Sequence, residues 1–530
     1  NLATFMQELG RYDEAMKYSH RALGIRTKVL GKHHPDVAMS YLDLGSLEGE
    51  LGNNNENLRY YEEALRILKD FHGEVHPSIA IAYNRIGYYY NNVMNDSQKA
   101  LHYYIESMEM LKHVYGEEHS HVAKSIHNLA SAYYSIADYD KAMELYNQAL
   151  ELRIRLFGED HVSLADTYNN IGHLYSMLGN YKDALAYSQK VLDIYTEFYG
   201  EQNHRVALAY NNIGAIYENL DEDQTALDYL GKSCEIYQAY GESYPGLADP
   251  YDLIGTIYLK HSMYDQAENF LKEGMRIREE AYGKDNISVA NSLNNLSQLY
   301  LDKKDYALAE ETLLRAVEII KSHGRDKYPE AATILSNLGV VYYRQKDYAK
   351  ALEWYKLLKD RASTPERREL AATGMLRSAA MAGNDEEVIL AATAVLTDAK
   401  VAPELENEAR YYRAQSLVKV NQMAHAVADW QSLAQDTRNA YGAEAKYRLA
   451  QYLFDAGKTA EAEKEVLNYL EVSTPHAYWL ARSFVLLSDI YAKLDRKLEA
   501  RQYLLSLKQN YQAADDIAGM IESRLEKLNE

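Results

Sequence analysis

Three pairs of histidines are the first residues of this chain that could do chemistry. His33-His34, His72 with His76, and His119 with His121 set imidazoles near enough in sequence to share a metal ion. Cys234, in Lys232-Ser-Cys-Glu-Ile236, is the single thiol and would be the nucleophile if the chain had one. Glu117-Glu118 is a carboxylate pair of the kind that general acid–base work needs. None of these sits in a catalytic pattern. The chain has no phosphate-cradling glycine loop, no Gly-x-Ser-x-Gly elbow and no His-Glu-x-x-His. No catalytic residue, cofactor or metal is expected.

Composition narrows the classes further. The 530 residues are 47% hydrophobic and 25% charged, too apolar for a disordered chain and ordinary for a folded one. Lys and Arg total 57 against 78 Asp and Glu, a formal net charge of −21. Nucleic-acid binding draws on a basic surface, so this balance argues against it and favours basic partners. The longest nearly apolar stretch, Val388–Leu396, is far short of the roughly 18 residues that cross a bilayer. A single cysteine allows no intrachain disulfide, which fits a cytoplasmic or a periplasmic, envelope-associated protein alike. There are 49 Tyr and only 7 Phe, so some tyrosine position recurs many times.

The elements that carry these residues repeat. A small residue follows Leu or Ile at Ala3, Gly45, Gly87, Ala130, Gly172, Gly214, Gly255, Ser297 and Gly339, at spacings of 42, 42, 43, 42, 42, 41, 42 and 42. Three residues later stand Tyr90, Tyr133, Tyr175, Tyr217, Tyr258, Tyr300 and Tyr342, with Glu48 as the departure. A second small position holds Ala15, Ala100, Ala142, Ala184, Ala226, Ala267, Ala309 and Ala351, with Asn57 as the departure. One insertion before Ala100 accounts for the spacing of 43.

Each repeat reads as a helix pair. From Val162 to Leu178 apolar residues recur at three- and four-residue steps, Gly179-Asn180 breaks the helix, and a second helix runs from Tyr181 to about Tyr199. Gly200 closes it, as do Gly31, Gly73, Gly116, Gly158, Gly241, Gly283 and Gly324 elsewhere. Pro35, Pro77, Pro245 and Pro329 open the next helix, where a missing N–H costs nothing. The histidine pairs fall in these turns, so turn grammar explains them better than metal does. Cys234 takes a position that other repeats fill with apolar side chains, which makes it a core thiol.

Leu178-Gly-Asn-Tyr-Lys-Asp-Ala184, Ala149-Leu-Glu-Leu-Arg-Ile154 and Gly31-Lys-His-His-Pro-Asp-Val-Ala38 together resemble tetratricopeptide repeats of the 42-residue kind, found in kinesin light chains and many bacterial proteins. The resemblance covers residues 1–350. Beyond it the marks become Ala351, Val388, Ala426, Ala462 and Ala500, spaced 37, 38, 36 and 38. The unit ending in Ala462 is similar to arrays of bacterial cell-envelope proteins. The resemblance implies an all-α, right-handed α-solenoid: 42-residue units over 1–350 with the first one truncated, shorter units over 351–512, and a capping helix over 513–530. That last segment sets Ile517, Met520, Ile521, Leu525 and Leu528 on one stripe. Asn1-Leu2-Ala3 aligns with the middle of a helix, so further repeats are expected upstream, and the change of grammar near 350 also fits two joined chains.

In tetratricopeptide arrays the first helix of each pair lines a concave groove. Immediately before the Leu/Ile-small pair stand Asn128, Asn170, Asn212, Asn295 and Asn337, with Asp43, Arg85 and Leu253 as departures. Beside them lie Asn84, His127, Asn169, Asn211, Asp252, Asn294 and Ser336. An asparagine offers both a donor and an acceptor, so a ladder of them can grip an extended peptide whatever its side chains. The resemblance to kinesin light chains implies peptide contact at Asn170, Asn212, Asn295 and Asn337. Tyr88, Tyr134, His173 and Tyr343 are placed to wall the groove. The expected function is a non-enzymatic scaffold or adaptor binding a peptide or partner protein, with the ladder dispensable for folding. The alternatives are the regulatory arm of a larger enzyme or signalling protein, and a structural component of an envelope complex.

Overall fold

The structure is a computed structural model that describes residues 2–8, 10–94, 96–323, 329–362, 365–397, 401–472 and 474–529. It is 83% helical, with 27 helices in consecutive packed pairs and no strand among the described residues. This is the α-solenoid that the repeat spacing predicts. The chain divides into two compact units, Asn1–Asn337 and Leu338–Glu530.

One repeat explains the others. Helix Ala165–Met177, extended at its start by a 3-10 turn over Val162–Leu164, packs on helix Tyr181–Tyr199. Between them Gly179 takes φ +75, and Asn180 N–H donates to the Tyr175 carbonyl at 2.9 Å. The recurring tyrosine closes every such turn through its backbone, from Tyr133 to Tyr342. Its ring has a second task. Tyr90 stacks on Tyr103 at 5.6 Å, Tyr175 on Tyr187 at 5.6 Å, and Tyr217 on Tyr229 at 5.5 Å. Offset ring pairs of this kind bind the two helices of a pair, which accounts for the tyrosine surplus.

The small positions are dictated by close approach. A Cβ on Gly87 would lie 2.7 Å from the Tyr104 ring, and one on Gly214 2.8 Å from Leu230 Cγ. Ala100, Ala142, Ala184 and Ala226 are fully buried. The left-handed turn position, by contrast, is not reserved for glycine: Ala137, Asp221, Ser262 and Lys304 adopt it with φ between 58 and 61. Each accepts the steric cost of roughly 1 kcal/mol that an L side chain meets there. The extra residue of the third repeat is absorbed by a π-turn over Tyr89–Val93, the usual way a helix takes an insertion.

One histidine of each pair proves to be a helix cap. His34, His76, His119 and His161 each accept a hydrogen bond on Nδ1 from the backbone N–H two residues on, at 3.1 to 3.2 Å. Asn203 and Asn286 fill the same position and do the same through Oδ1. The preceding glycines, such as Gly200 with φ 83 and ψ 160, hold a backbone region that only glycine enters without strain. Gly324 lies outside the described residues.

Buried side chains run without interruption from Ala80 to Ile277, so the core is one strip shared between neighbouring repeats. The first unit also returns on itself. Tyr12 packs on Tyr282 at 5.4 Å, and Gly52 lies so near the eighth repeat that a Cβ there would stand 3.3 Å from His323 Nε2 and 3.4 Å from Asn286 Nδ2. In the second unit, helix Ile517–Asn529 buries Ile517 and Ile521 against Val485 and Leu504, with Met520, Leu525 and Leu528 packed beside them.

Candidate functional site

The asparagines form a ladder, and its rungs join one repeat to the next. Asn128 Nδ2 donates to Asn84 Oδ1 at 3.1 Å, Asn212 to Asn169 Oδ1 at 2.8 Å, and Asn337 to Asn294 Oδ1 at 2.8 Å. Asn170 Nδ2 reaches His127 Nε2 at 3.2 Å and the Tyr146 hydroxyl at 3.3 Å. Asn295 Nδ2 donates to Asp252 Oδ2 at 3.3 Å. The donor is thus the residue before the Leu/Ile-small pair, and the acceptor is its neighbour one repeat upstream. The Oδ1 atoms of Asn170, Asn212, Asn295 and Asn337 accept no hydrogen bond among the described residues.

The acceptor positions differ in depth: Asn84, Asn169 and Asn294 are half-buried like the donors, and three others lie deeper. Asn211 and Asp252 are buried, and so is His127, whereas the donor asparagines are half-buried. Burial, aided by Arg153 and Lys124, pushes the His127 imidazole down to about 3, so it is neutral. Burial pushes the Asp252 carboxyl up against the opposing pull of Arg278, which donates to it at 2.7 Å.

Sequence reasoning did not single out the arginines behind this row. Arg26, Arg153 and Arg278 donate to Ser40, Thr167 and Ser292 at 2.7, 2.6 and 2.6 Å, each a hydroxyl 14 residues downstream on the next repeat. The fixed interval of arginine and hydroxyl was the signal available. These bonds lock successive repeats together and fix the face on which the ladder lies.

The aromatic positions divide. Tyr134 and His173 meet, hydroxyl to Nε2 at 2.9 Å, and Tyr139 packs on Tyr134 at 5.7 Å. Tyr88 is 51% exposed and lines an inner cavity with Asn84 and Asn128. Tyr343 belongs to the second unit, edge-on to Tyr348 at 5.2 Å. Cys234 is 8% exposed and burial pushes its thiol up to about 12, which disarms it as a nucleophile. No group of three metal-ligating side chains occurs among the described residues, and no helix there is long and apolar enough to cross a membrane.

Paired helices stacked in register, joined by polar rungs along one face, define a repeat scaffold. A profile of the tetratricopeptide repeat matches residues 1–70, 78–155, 139–197, 163–239, 205–280, 247–322 and 288–362, and the chain belongs to that family. Such proteins are in general non-catalytic scaffolds for protein interaction. No curated protein sequence matches the chain. Among solved structures, BtubC (BKLC) from P. vanneervenii is similar at 21% identity, over 44% of this chain and 91% of that one, with a TM-score of 0.35. A putative kinesin light chain from Podosopora anserina aligns at 18% identity over 39% of this chain and 97% of its own, TM-score 0.33. The apo form of RapI aligns at 16% identity over 54% and 97%, TM-score 0.41.

Proposed function

We propose that the inner face carrying Asn170, Asn212, Asn295 and Asn337 binds an extended peptide or a segment of a partner protein, and that the chain is a non-enzymatic scaffold or adaptor. The observation that supports this is the split role of each asparagine. Its nitrogen is committed to the preceding repeat, which fixes the side chain, while its Oδ1 takes no bond among the described residues. A row of fixed acceptors, one per repeat, suits the backbone N–H groups of an extended chain. Tyr134 and His173, held together, offer an apolar edge and a polar tip beside it.

The test is peptide display against the full chain, followed by calorimetric titration of the selected peptides with wild type and with the triple variant Asn170→Ala, Asn212→Ala, Asn295→Ala. Three hydrogen bonds lost at about 0.5–1.5 kcal/mol each weaken binding on the order of tenfold to a thousandfold. Unchanged affinity in a folded triple variant overturns the reading.

A further inference from the structure

Along the edge of the first unit where one repeat passes to the next, the fold leaves apolar side chains outside. At one or both of the two positions before the glycine that follows each outer helix stand Phe71, Tyr115, Phe157, Phe198 with Tyr199, and Tyr240. Phe71 is 56% exposed and Phe198 62%, and Tyr115, Phe157 and Tyr199 are exposed as well. Val75 and Val114 stand exposed beside them. Apolar residues scattered singly on a surface need no explanation, but these recur once per repeat in one place.

The rings are also fixed. Tyr115 stacks on His119 at 4.0 Å and Phe157 on His161 at 4.6 Å, so the histidine that caps the next inner helix also supports a ring. Contacts pass between neighbouring turns too: His34 reaches Phe71 at 5.9 Å, and His204 reaches Tyr240 at 6.0 Å. A side chain already held in place loses little rotamer freedom when a partner covers it.

The turns that follow these rings have one sign of charge. Gly73-Glu-Val-His76, Gly116-Glu-Glu-His119, Gly158-Glu-Asp-His161, Gly200-Glu-Gln-Asn203 and Gly241-Glu-Ser-Tyr244 hold seven carboxylates and no lysine or arginine. All seven carboxylate residues are exposed. From the helices, Lys69 and Arg155 come within 2.9 and 3.9 Å of Glu74 and Glu118, two of the seven, so the row keeps a negative surplus. The turns beyond either end carry Lys32 and Lys284, and Tyr282, the next ring after Tyr240, packs on Tyr12. The acidic run and the aromatic run therefore cover the same five turns.

We infer that this edge docks a basic amphipathic segment of a partner protein, with apolar side chains on the row of rings and lysines and arginines on the carboxylates of the turns. Charge complementarity selects that occupant. Nucleic acid, an anionic membrane and a second copy of this chain, itself at −21, each bring the wrong sign. The edge shares no residue with the asparagine ladder, so it is a second interaction surface beyond the inner face.

The experiment is fluorescence anisotropy of the full chain with a labelled synthetic peptide of Leu, Lys and Ala, patterned as an amphipathic helix. Two control peptides replace each Lys by Glu or each Leu by Ser. One edge variant reverses charge, Glu117→Lys with Glu159→Lys and Glu201→Lys; the other removes rings, Phe71→Ser with Phe198→Ser. A further variant, Glu106→Lys with Glu144→Lys and Asp228→Lys, changes the net charge equally through exposed carboxylates within the outer helices. Every substituted side chain is exposed, and a thermal melt verifies folding. At about 0.15 M salt, where distant charges are screened, the Leu–Lys peptide should bind and both edge variants should weaken it roughly tenfold or more. The helix-charge variant and the triple ladder variant should change its affinity by less than about twofold. No binding of that peptide, equal binding of either control peptide, equal loss in the helix-charge variant, or tighter binding to phosphatidylserine vesicles would each overturn the inference. So would a dimer in sedimentation that the Phe71→Ser, Phe198→Ser variant dissolves, because a second copy would then occupy the edge. The ladder reading falls by a different result, peptide affinity unmoved by the triple ladder variant, so the two failures are separable.

Discussion

Asn211 and Leu253 occupy the acceptor and donor positions of one rung, and the leucine side chain has no N–H to give. Asn211 Oδ1 is accordingly a buried oxygen with no partner, the residue being 8% exposed. The rungs on either side, Asn212 to Asn169 and Asn295 to Asp252, are made. The ladder is therefore interrupted between the sixth and seventh repeats, at a point set by one residue.

Leu253→Asn should complete the rung. The gain is about 1–3 kcal/mol from satisfying the oxygen, reduced by the partial apolar contact that Leu253 makes with the core. Net stabilisation of roughly 1 kcal/mol is expected in urea melts, while Leu253→Ala should destabilise. A Leu253→Asn variant no more stable than Leu253→Ala would show that the orphan oxygen carries no cost.

The triple variant Asn170→Ala, Asn212→Ala, Asn295→Ala should lose stability as well as affinity. Sequence alone leads to the opposite expectation for folding, since polar residues on an open groove contribute little to a core. The nitrogens bridge repeats, however, and removing them strips roughly 2–4 kcal/mol of hydrogen bonding from the array. Urea melts of the three single variants, each about 0.5–1.5 kcal/mol less stable, are the check.

Acid should destabilise the chain through His127. Its folded-state value of about 3 lies below the ordinary 6.5, so between those values the unfolded chain binds the proton that the folded chain refuses. This contribution is intact above about pH 6.5 and is lost as pH falls toward 3, at about 1.4 kcal/mol per pH unit in the steep part. His127→Asn installs the residue found at the equivalent Asn84, Asn169, Asn211 and Asn294. Its stability should fall less steeply than wild type over that window; equal slopes would contradict the neutral, buried imidazole.

Ala184→Leu should overpack one joint. Ala184 is fully buried, and its carbonyl lies 3.4 Å from where a Cβ on Gly172 would be. A cost of about 1–3 kcal/mol is expected, with hydrogen exchange accelerated chiefly in the adjoining repeats. Uniform acceleration along the first unit would show that the repeats do not unfold as neighbours.

The period of 42, the helix pair and the small residues at Gly87, Ala130 and Ala184 were all legible in the sequence, because they are local: a turn, a helix face and a contact with the partner helix recur wherever the same residues recur. The tyrosine surplus pointed to a recurring position for the same reason. Three things were decided only by tertiary structure. The histidines could be recognised as turn residues, but their role as caps depends on where Nδ1 points. The asparagines could be counted as a ladder, but their nitrogens bond across 43 or 44 residues, a distance that becomes contact only when one repeat stacks on the next. Asn57 and Arg85 were visible as departures from the pattern, 28 positions apart. That they share a cavity follows from the stacking of the second and third repeats, which brings the end of the third repeat's inner helix beside the start of the second repeat's outer helix and cannot be read along the chain.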